Sequence, residues 1–486
     1  MKKIHRMNNV KLYLKPPLIL YILISWLLVM PSIMYLAENG TVYKFTQYFT
    51  YSMQKLNNQY QFILNMLAFV LLVVALSIVY FYILKNLKKI FKNTKGLIIF
   101  IIIIGVLFST IIPQTSMDVY SYIGNGWVDS HYAENPYYTP IGDIIKQDGN
   151  ISQMFIKVAR CWVEETVVYG PAWSLICKGL TSFSGGNIDI ALIIFKIASL
   201  LVFLCCSILI YKITNRRLFM AMFALNPLIL FEGLANVHND LFLVFFMLLA
   251  VYFITKKKNL FLAVLCIAVA TAIKYLSILA LPFVIIYCLK NEKMKTRIIK
   301  TVLCAIEFIA ILMAFYVIYV RDISVLSGIF IQQNKYSRSF ALMLLQLLNM
   351  FNMDVKILDI VKLVILVIFI IVYIIVVLKM FFNKNLKETK LQHILRKYNV
   401  FILVFTFVLI TNFNAWYVLW IFPTIMWQKP KTIRLLLYLS IGALLSYTVS
   451  YATHIDNESV GYIYIATMWF VTLISNGFYI KLRGKL

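Results

Sequence analysis

Charge is what this sequence has least of: 13% of its 486 residues are Asp, Glu, Lys or Arg, about half the share of an average soluble chain. With 62% apolar residues and a mean hydropathy of +0.85, a water-solvated globule is excluded and lipid is the solvent. Cysteine is sparse too. The seven present are an odd number, and Cys205, Cys206, Cys266, Cys288 and Cys304 lie in or beside apolar runs, where they act as small hydrophobes. Only Cys161 and Cys177 fall in a polar stretch where an oxidising compartment would let them pair. Internal repeats, low-complexity tracts and a separate soluble domain are also lacking, so residues 1–486 read as one integral membrane domain.

What is present is a series of apolar runs. Leu18 to Met30, Phe62 to Leu84 and Leu97 to Ile112 approach or meet the roughly 20 residues that a bilayer core requires. The pattern predicts an all-α polytopic bundle of about 14 (12–14) transmembrane helices, near 17–37, 62–84, 97–113, 186–211, 217–232, 238–255, 259–272, 274–289, 298–320, 358–380, 399–412, 415–428, 432–451 and 460–480. The pairs at 259–289 and 399–428 are short and are expected to bend or insert halfway, which protein or a cavity must permit. The first run follows a basic stretch without a small-residue cleavage site, so it reads as a retained anchor.

The net charge of +27 has a positional explanation. Most of the 46 basic residues cluster in every second short connection, for example Lys85 to Lys95, Lys212 to Arg217 and Lys290 to Lys300. That is the positive-inside pattern: it puts both termini in the cytoplasm and makes anionic lipid, rather than nucleic acid, the counter-charge. Most of the 19 acidic residues then fall on the opposite, extracytoplasmic face. Acidic residues barely influence insertion, so their gathering there calls for a second reason. Two large segments lie on that face, 114–186 and 321–357. In the first, Met154, Phe155, Val158, Ala159 and Trp162 recur at helical spacing opposite Lys157 and Arg160, predicting a helix in the interface plane; a second amphipathic stretch runs near Leu344 to Met350.

The chemistry-bearing residues stand on the same face. Just past the third span, MDVYSYIGNG puts Asp118, Tyr120 and Tyr122 at the membrane surface, followed by ENPYYTP with Asn135 and Tyr137. A carboxylate there can take a proton from an incoming hydroxyl; the plainer reading is an interfacial Asp that caps a short helix. ETVVYGPAWS adds Tyr169 at a turn before Pro171. GLANVHND sets His238, Asn239 and Asp240 at the outer end of a hairpin, where costly polar groups default to function, although Asn239 and Asp240 also suit a helix cap. Lys274 lies on the side that the charge rule disfavours; it either binds a lipid phosphate or snorkels to the interface. Arg338 is a second cation there. Trp416 and Tyr417, in TNFNAWYVLWIFPT, either stack on a ligand or belong to an aromatic belt.

In order, DVYSYIGNG with ENPYYTP, YGPAW, ANVHND, a lysine before ALP, and NAWYVLWIFP resemble the motifs of GT-C glycosyltransferases, and in particular the bacterial polyprenyl-phosphate-mannose-dependent α-1,6-mannosyltransferases. The resemblance spans about residues 100 to 425. It implies a membrane enzyme that moves a hexose, mannose foremost, from a polyprenyl-phosphate carrier to a hydroxyl of a cell-envelope glycan or glycolipid on the outer face, with inversion. It further implies Asp118 as catalytic base, His238, Asn239 and Asp240 around the donor or acceptor, and Lys274 with Arg338 on the carrier phosphate. Many members carry acids one residue apart in this loop, whereas Val119 and Tyr120 follow Asp118 here. No metal or other cofactor is therefore expected. A transporter or flippase of a lipid-linked saccharide would share the helix count, but should show repeated halves with midplane sites; a structural subunit would tolerate loss of Asp118.

Overall fold

In the computed structural model the described residues are 15–41, 59–113, 115–149, 151–328, 335–336, 338–354, 356–383, 388–447, 468–469 and 472. They form an all-helical architecture with no strand element. Helix α1 (Pro16–Asn39) begins at a proline, whose missing N–H costs nothing at a helix start, and ends at Gly40 with φ +66°. It packs along α2 (Gln59–Lys85) and α3 (Thr94–Ser109). Asn93 caps α3 by accepting from the Gly96 amide.

A substructure of short helices follows: α4 (Asp118–His131), α5 (Ile141–Asp148) and α6 (Pro171–Ser182). Helices α4 and α6 pack closely, because Gly126 leaves no Cβ to meet the Cys177 carbonyl. Helix α7 (Ile188–Thr214) returns through the bundle with Asn187 as its cap. It is followed by α8 (Arg217–Ala224), which bends by 52° into a limb, Pro227–Ala235, that ends in a π-helical turn. Helices α9 (Asp240–Tyr252) and α10 (Leu260–Ile273) form the next hairpin. The chain is extended at Lys274 and resumes as a 3-10 turn, Tyr275–Ala280, and α11 (Leu281–Cys288). The last elements are α12 (Met294–Tyr316), α13 (Phe340–Met350), α14 (Lys356–Phe381), α15 (Leu391–Val404), a 3-10 segment Ala415–Ile421, and α16 (Pro430–Leu445).

Five of the described helices are long and apolar enough to cross a bilayer, or six if the bent limb after α8 completes one span. The expected count of about 14 is not reached by that measure. Part of the reason is physical: apolar runs hide breaks at Asn226–Pro227, at Lys274 and at Asn414, and α3, with 16 residues, is only about 24 Å long. The segments 259–289 and 399–428 are each interrupted, at Lys274 and between Leu409 and Ala415. The expected span at 460–480 lies almost wholly outside the described residues.

Two loop expectations change. Residues 151–159 form turns rather than a surface helix, with a single helical turn at Arg160–Val163. Met154, Phe155 and Val158 are buried, the last two lying where Gly124 lets α4 approach, and Lys157 is buried with them, its Nζ 4.9 Å from the Tyr120 ring. The amphipathic spacing thus marks a segment folded onto α4. The second expected stretch is helical, as α13, with Ser339 accepting from the Leu342 amide. Cys177 carries a free, buried thiol, and the side chain of Cys161 lies outside what the structure describes.

Candidate active site

Asp118 is the first residue of α4, so its carboxylate sits at a helix N-terminus, where unpaired backbone amides favour negative charge. Its side chain is 17% exposed. Tyr122, one turn on, shares that helix face and donates to the Tyr169 hydroxyl at 3.5 Å; Tyr169 in turn donates to Asp118 Oδ2 at 3.2 Å. Burial, reinforced for Tyr169 chiefly by the Asp118 carboxylate, pushes both phenols well above their ordinary range, so they remain protonated donors. Tyr169 is held by its successor. A Cβ on Gly170 would lie 2.2 Å from the Ala272 carbonyl oxygen, and the Gly170 amide donates to the Ile273 carbonyl at 3.1 Å. The loop is thereby fastened to the end of α10, one residue before Lys274.

The GLANVHND hairpin meets Asp118 from the other side. Val237 has φ +58°, a region that a β-branched residue rarely occupies, and it aims the next side chain. His238 is fully buried, its ring stacked on Trp416 at 3.8 Å between centroids and 19° between planes. Its Nδ1 is 3.7 Å from Asp118 Oδ2 and its Nε2 is 3.2 Å from Glu232 Oε2. Asn239 makes no side-chain cap, one of the two roles that its sequence position suits. Its side-chain amide is fully buried and hydrogen-bonds to no other group among the described residues.

Asp240, the first residue of α9, faces a different set of partners. Lys274 Nζ donates to its two oxygens at 2.7 and 2.8 Å, and the Trp420 indole N–H donates to Oδ1 at 2.5 Å. Trp420 stacks on Tyr417 at 4.4 Å. The ammonium lies 4.8 Å from the Tyr417 ring centre, 5.3 Å from that of Trp420 and 5.9 Å from that of Tyr169. Tyr169 therefore joins the two halves: it hydrogen-bonds Asp118 and lies over the cation paired with Asp240. The lysine is a paired cation in an aromatic cage rather than a bare one.

The other residues that the sequence singles out lie apart from this cluster or behind it. Tyr120 points to the opposite side of α4, with its hydroxyl buried. Asn135 donates to the Tyr319 carbonyl at 2.7 Å, and Tyr137 donates to the Tyr169 carbonyl at 2.8 Å, so both brace the loop. Arg338 reaches Asn414 Oδ1 at 3.5 Å. Among the described residues no group of three or more His, Cys, Asp or Glu side chains is disposed to hold a metal ion.

Two residues escaped the sequence reading. Glu232 lies completely buried in the π-helical turn and accepts from Asn236 Nδ2 at 3.0 Å. Lys196 of α7 donates to the carbonyls of Ile111, Leu234 and Ala235 at 2.6, 3.1 and 2.8 Å, tying the chain beyond α3 to the hairpin that carries His238. The signal for each was a lone ionisable residue inside an apolar run.

The family described as alpha-(1->6)-mannopyranosyltransferase, N-terminal domain, matches residues 24–290, more than half of the sequence. The chain belongs to this family. Over 179 residues it is 27% identical to alpha-(1->6)-mannopyranosyltransferase A of Mycobacterium tuberculosis, covering 36% of this chain and 33% of that protein. It is 25% identical over 182 residues to alpha-(1->6)-mannopyranosyltransferase A of Corynebacterium glutamicum, covering 36% and 35%. Each alignment thus spans about one third of the relative's length. No solved structure matches. The family region contains Asp118, Tyr169, Glu232, His238, Asp240 and Lys274, whereas Arg338, Trp416, Tyr417 and Trp420 lie beyond it.

Proposed function

We propose that this protein is a GT-C mannosyltransferase that takes mannose from a polyprenyl-phosphate carrier at the extracytoplasmic surface and transfers it, with inversion, to a hydroxyl of an envelope glycan or glycolipid. Family membership supports the mannosyl chemistry. The observation that carries the rest is the placement of a partly exposed carboxylate, Asp118, and a caged cation, Lys274, on either side of Tyr169.

In this reading an acceptor hydroxyl gives its proton to Asp118 as its oxygen attacks the anomeric carbon. The bond from that carbon to the phosphate oxygen breaks, and its electron pair leaves with the phosphate. Lys274, with the Trp420 N–H fixing its counter-ion, supplies a positioned donor as charge develops there. Tyr169 keeps the carboxylate oriented. The caging rings Tyr417 and Trp420 offer flat faces for sugar or isoprenoid carbon, and Arg338 is a further candidate for the phosphate. Asn135, Tyr137 and Tyr120 act by holding the loop in shape, and His238 and Asn239 line the hairpin side. A saccharide transporter should be built from repeated halves, and the sequence contains no such repeat.

The test is transfer by purified protein from a polyprenyl-phosphate mannose donor. Asp118→Asn is expected to lower turnover by about 10²–10⁴, the range for a general base, with insertion and expression unchanged. Transfer at the normal rate, or labelling of a cysteine at position 118 only from the cytoplasmic side, would overturn the reading.

A further inference from the structure

Glu232 poses a question that sugar transfer alone does not answer. A carboxylate taken fully out of water is costly unless a donor or cation meets it. Among the described residues the basic group within ion-pair distance is His238, whose Nε2 is 3.2 Å from Oε2, the oxygen that also accepts from Asn236. Neither imidazole nitrogen is aligned for a hydrogen bond to a described residue, so a proton on Nε2 faces the Glu232 anion as a charge contact, and the partner of one imidazole nitrogen decides the state of the other. Nδ1 then presents its lone pair toward Asp118 Oδ2, 3.7 Å away, within 1 Å of hydrogen-bonding distance. The ring has little room to turn away, because it lies flat on Trp416, and an indole face also favours the ring once it is charged.

We propose that Glu232 and His238 act as positioning residues in a proton relay behind Asp118, an inference that rests on Asp118 being the base. As the acceptor O–H bond breaks, its proton goes to Asp118 Oδ2 and then to His238 Nδ1. The carboxylate is restored, and the imidazolium sits between two anions until the proton passes back through the partly exposed Asp118 to water on product release. The charged and titratable groups around this path are Asp118 and Tyr169 on the loop side, Glu232 on the hairpin, Asp240 with Lys274 across the cluster, and Lys196 bound to the carbonyls of Leu234 and Ala235.

The test is steady-state kinetics of the full chain in lipid nanodiscs across pH, with Asp118→Asn measured in parallel. Glu232→Gln and His238→Gln are expected to lower kcat by about 10–100-fold while KM for the lipid donor stays within about twofold, the split that marks loss of a transition-state role. Glu232→Gln should also move the acid limb of the kcat profile to lower pH by about one unit, since a lost neighbouring anion makes the imidazole harder to protonate. His238→Ala should recover part of its rate with added imidazole. If His238→Ala does not fold, the near-isosteric glutamine variants decide. Normal kcat in both of them, or a lower kcat with an unmoved acid limb, overturns the relay. An inactive Asp118→Asn beside a normal Glu232→Gln overturns the relay alone, whereas an active Asp118→Asn removes the base as well.

Discussion

The helices of the first half and two helices of the second face different surroundings. In α1, α2 and α7 about two fifths of the most apolar window is buried within the protein, at 44%, 44% and 39%. In α12 the share is 11% and in α14 it is 6%. Helix α14 is nonetheless among the most apolar, a sequence of Ile, Val and Leu on nearly every face. In α14, then, unbroken hydrophobicity goes with a surface left to lipid, whereas α12 is as little covered although Glu307 interrupts it. Lys196, Glu232 and Asp240 each break an apolar stretch, and each is buried.

The contrast yields four expectations beyond the Asp118 substitution. The largest is for Lys196→Met, which removes three hydrogen bonds to backbone carbonyls and leaves those carbonyls unmet. Each buried acceptor left without a partner costs about 1–3 kcal/mol, so a loss of several kcal/mol is expected, read as a lower melting temperature in detergent and a near-complete loss of transfer. Gly170→Ala comes next. Its Cβ meets backbone rather than a flexible side chain, and relieving such overpacking costs about 1–3 kcal/mol; the displacement of Tyr169 should reduce activity more than stability.

Lys157 gives a pH-dependent case. Burial, partly offset by Asp189, holds its ammonium down to about 7, from an ordinary value of 10.5. Between those values the unfolded chain binds the proton more strongly than the folded one, so stability rises with pH through that window. Lys157→Met should therefore raise the melting temperature most below pH 7, with the gain vanishing toward pH 10; an equal gain at every pH would show that packing alone is responsible. The smallest effect is expected for Ile368→Ala on α14, where the side chain is 55% exposed. Lipid tails are as apolar as the residue removed, so the change should stay within about 0.5 kcal/mol. A large loss would mean that this helix is covered by protein.

Much of the site was legible because ionisable residues in apolar sequence are few. Asp118, His238, Asp240 and Lys274 stood out on that ground, and the structure gathers all four around Tyr169 and the hairpin. What the sequence did not disclose was pairing. Lys274 read as a bare cation because Asp240, 34 positions earlier, carries no local sign of facing it. Glu232 carries the same sign, an ionisable residue in an apolar run, but nothing near it in sequence announces the π-helical turn that turns it toward His238. Helix number was the least legible property: apolar runs register how much chain dissolves in lipid, whereas the break at Lys274 depends on what the backbone meets. The 151–159 segment misled for a related reason, since a helical period in buried residues can arise from consecutive turns pressed against one helix.

Val237 carries a consequence for how this protein can vary. Its backbone angle stores on the order of 1–3 kcal/mol, while its fully buried side chain returns about 1.5–3 kcal/mol by leaving solvent. The group least suited to the turn is thus the one that anchors it. A glycine there would relax the strain and release the anchor together, leaving overall stability nearly level while letting the imidazole wander. Selection for heat resistance alone would scarcely notice that exchange; selection for turnover would.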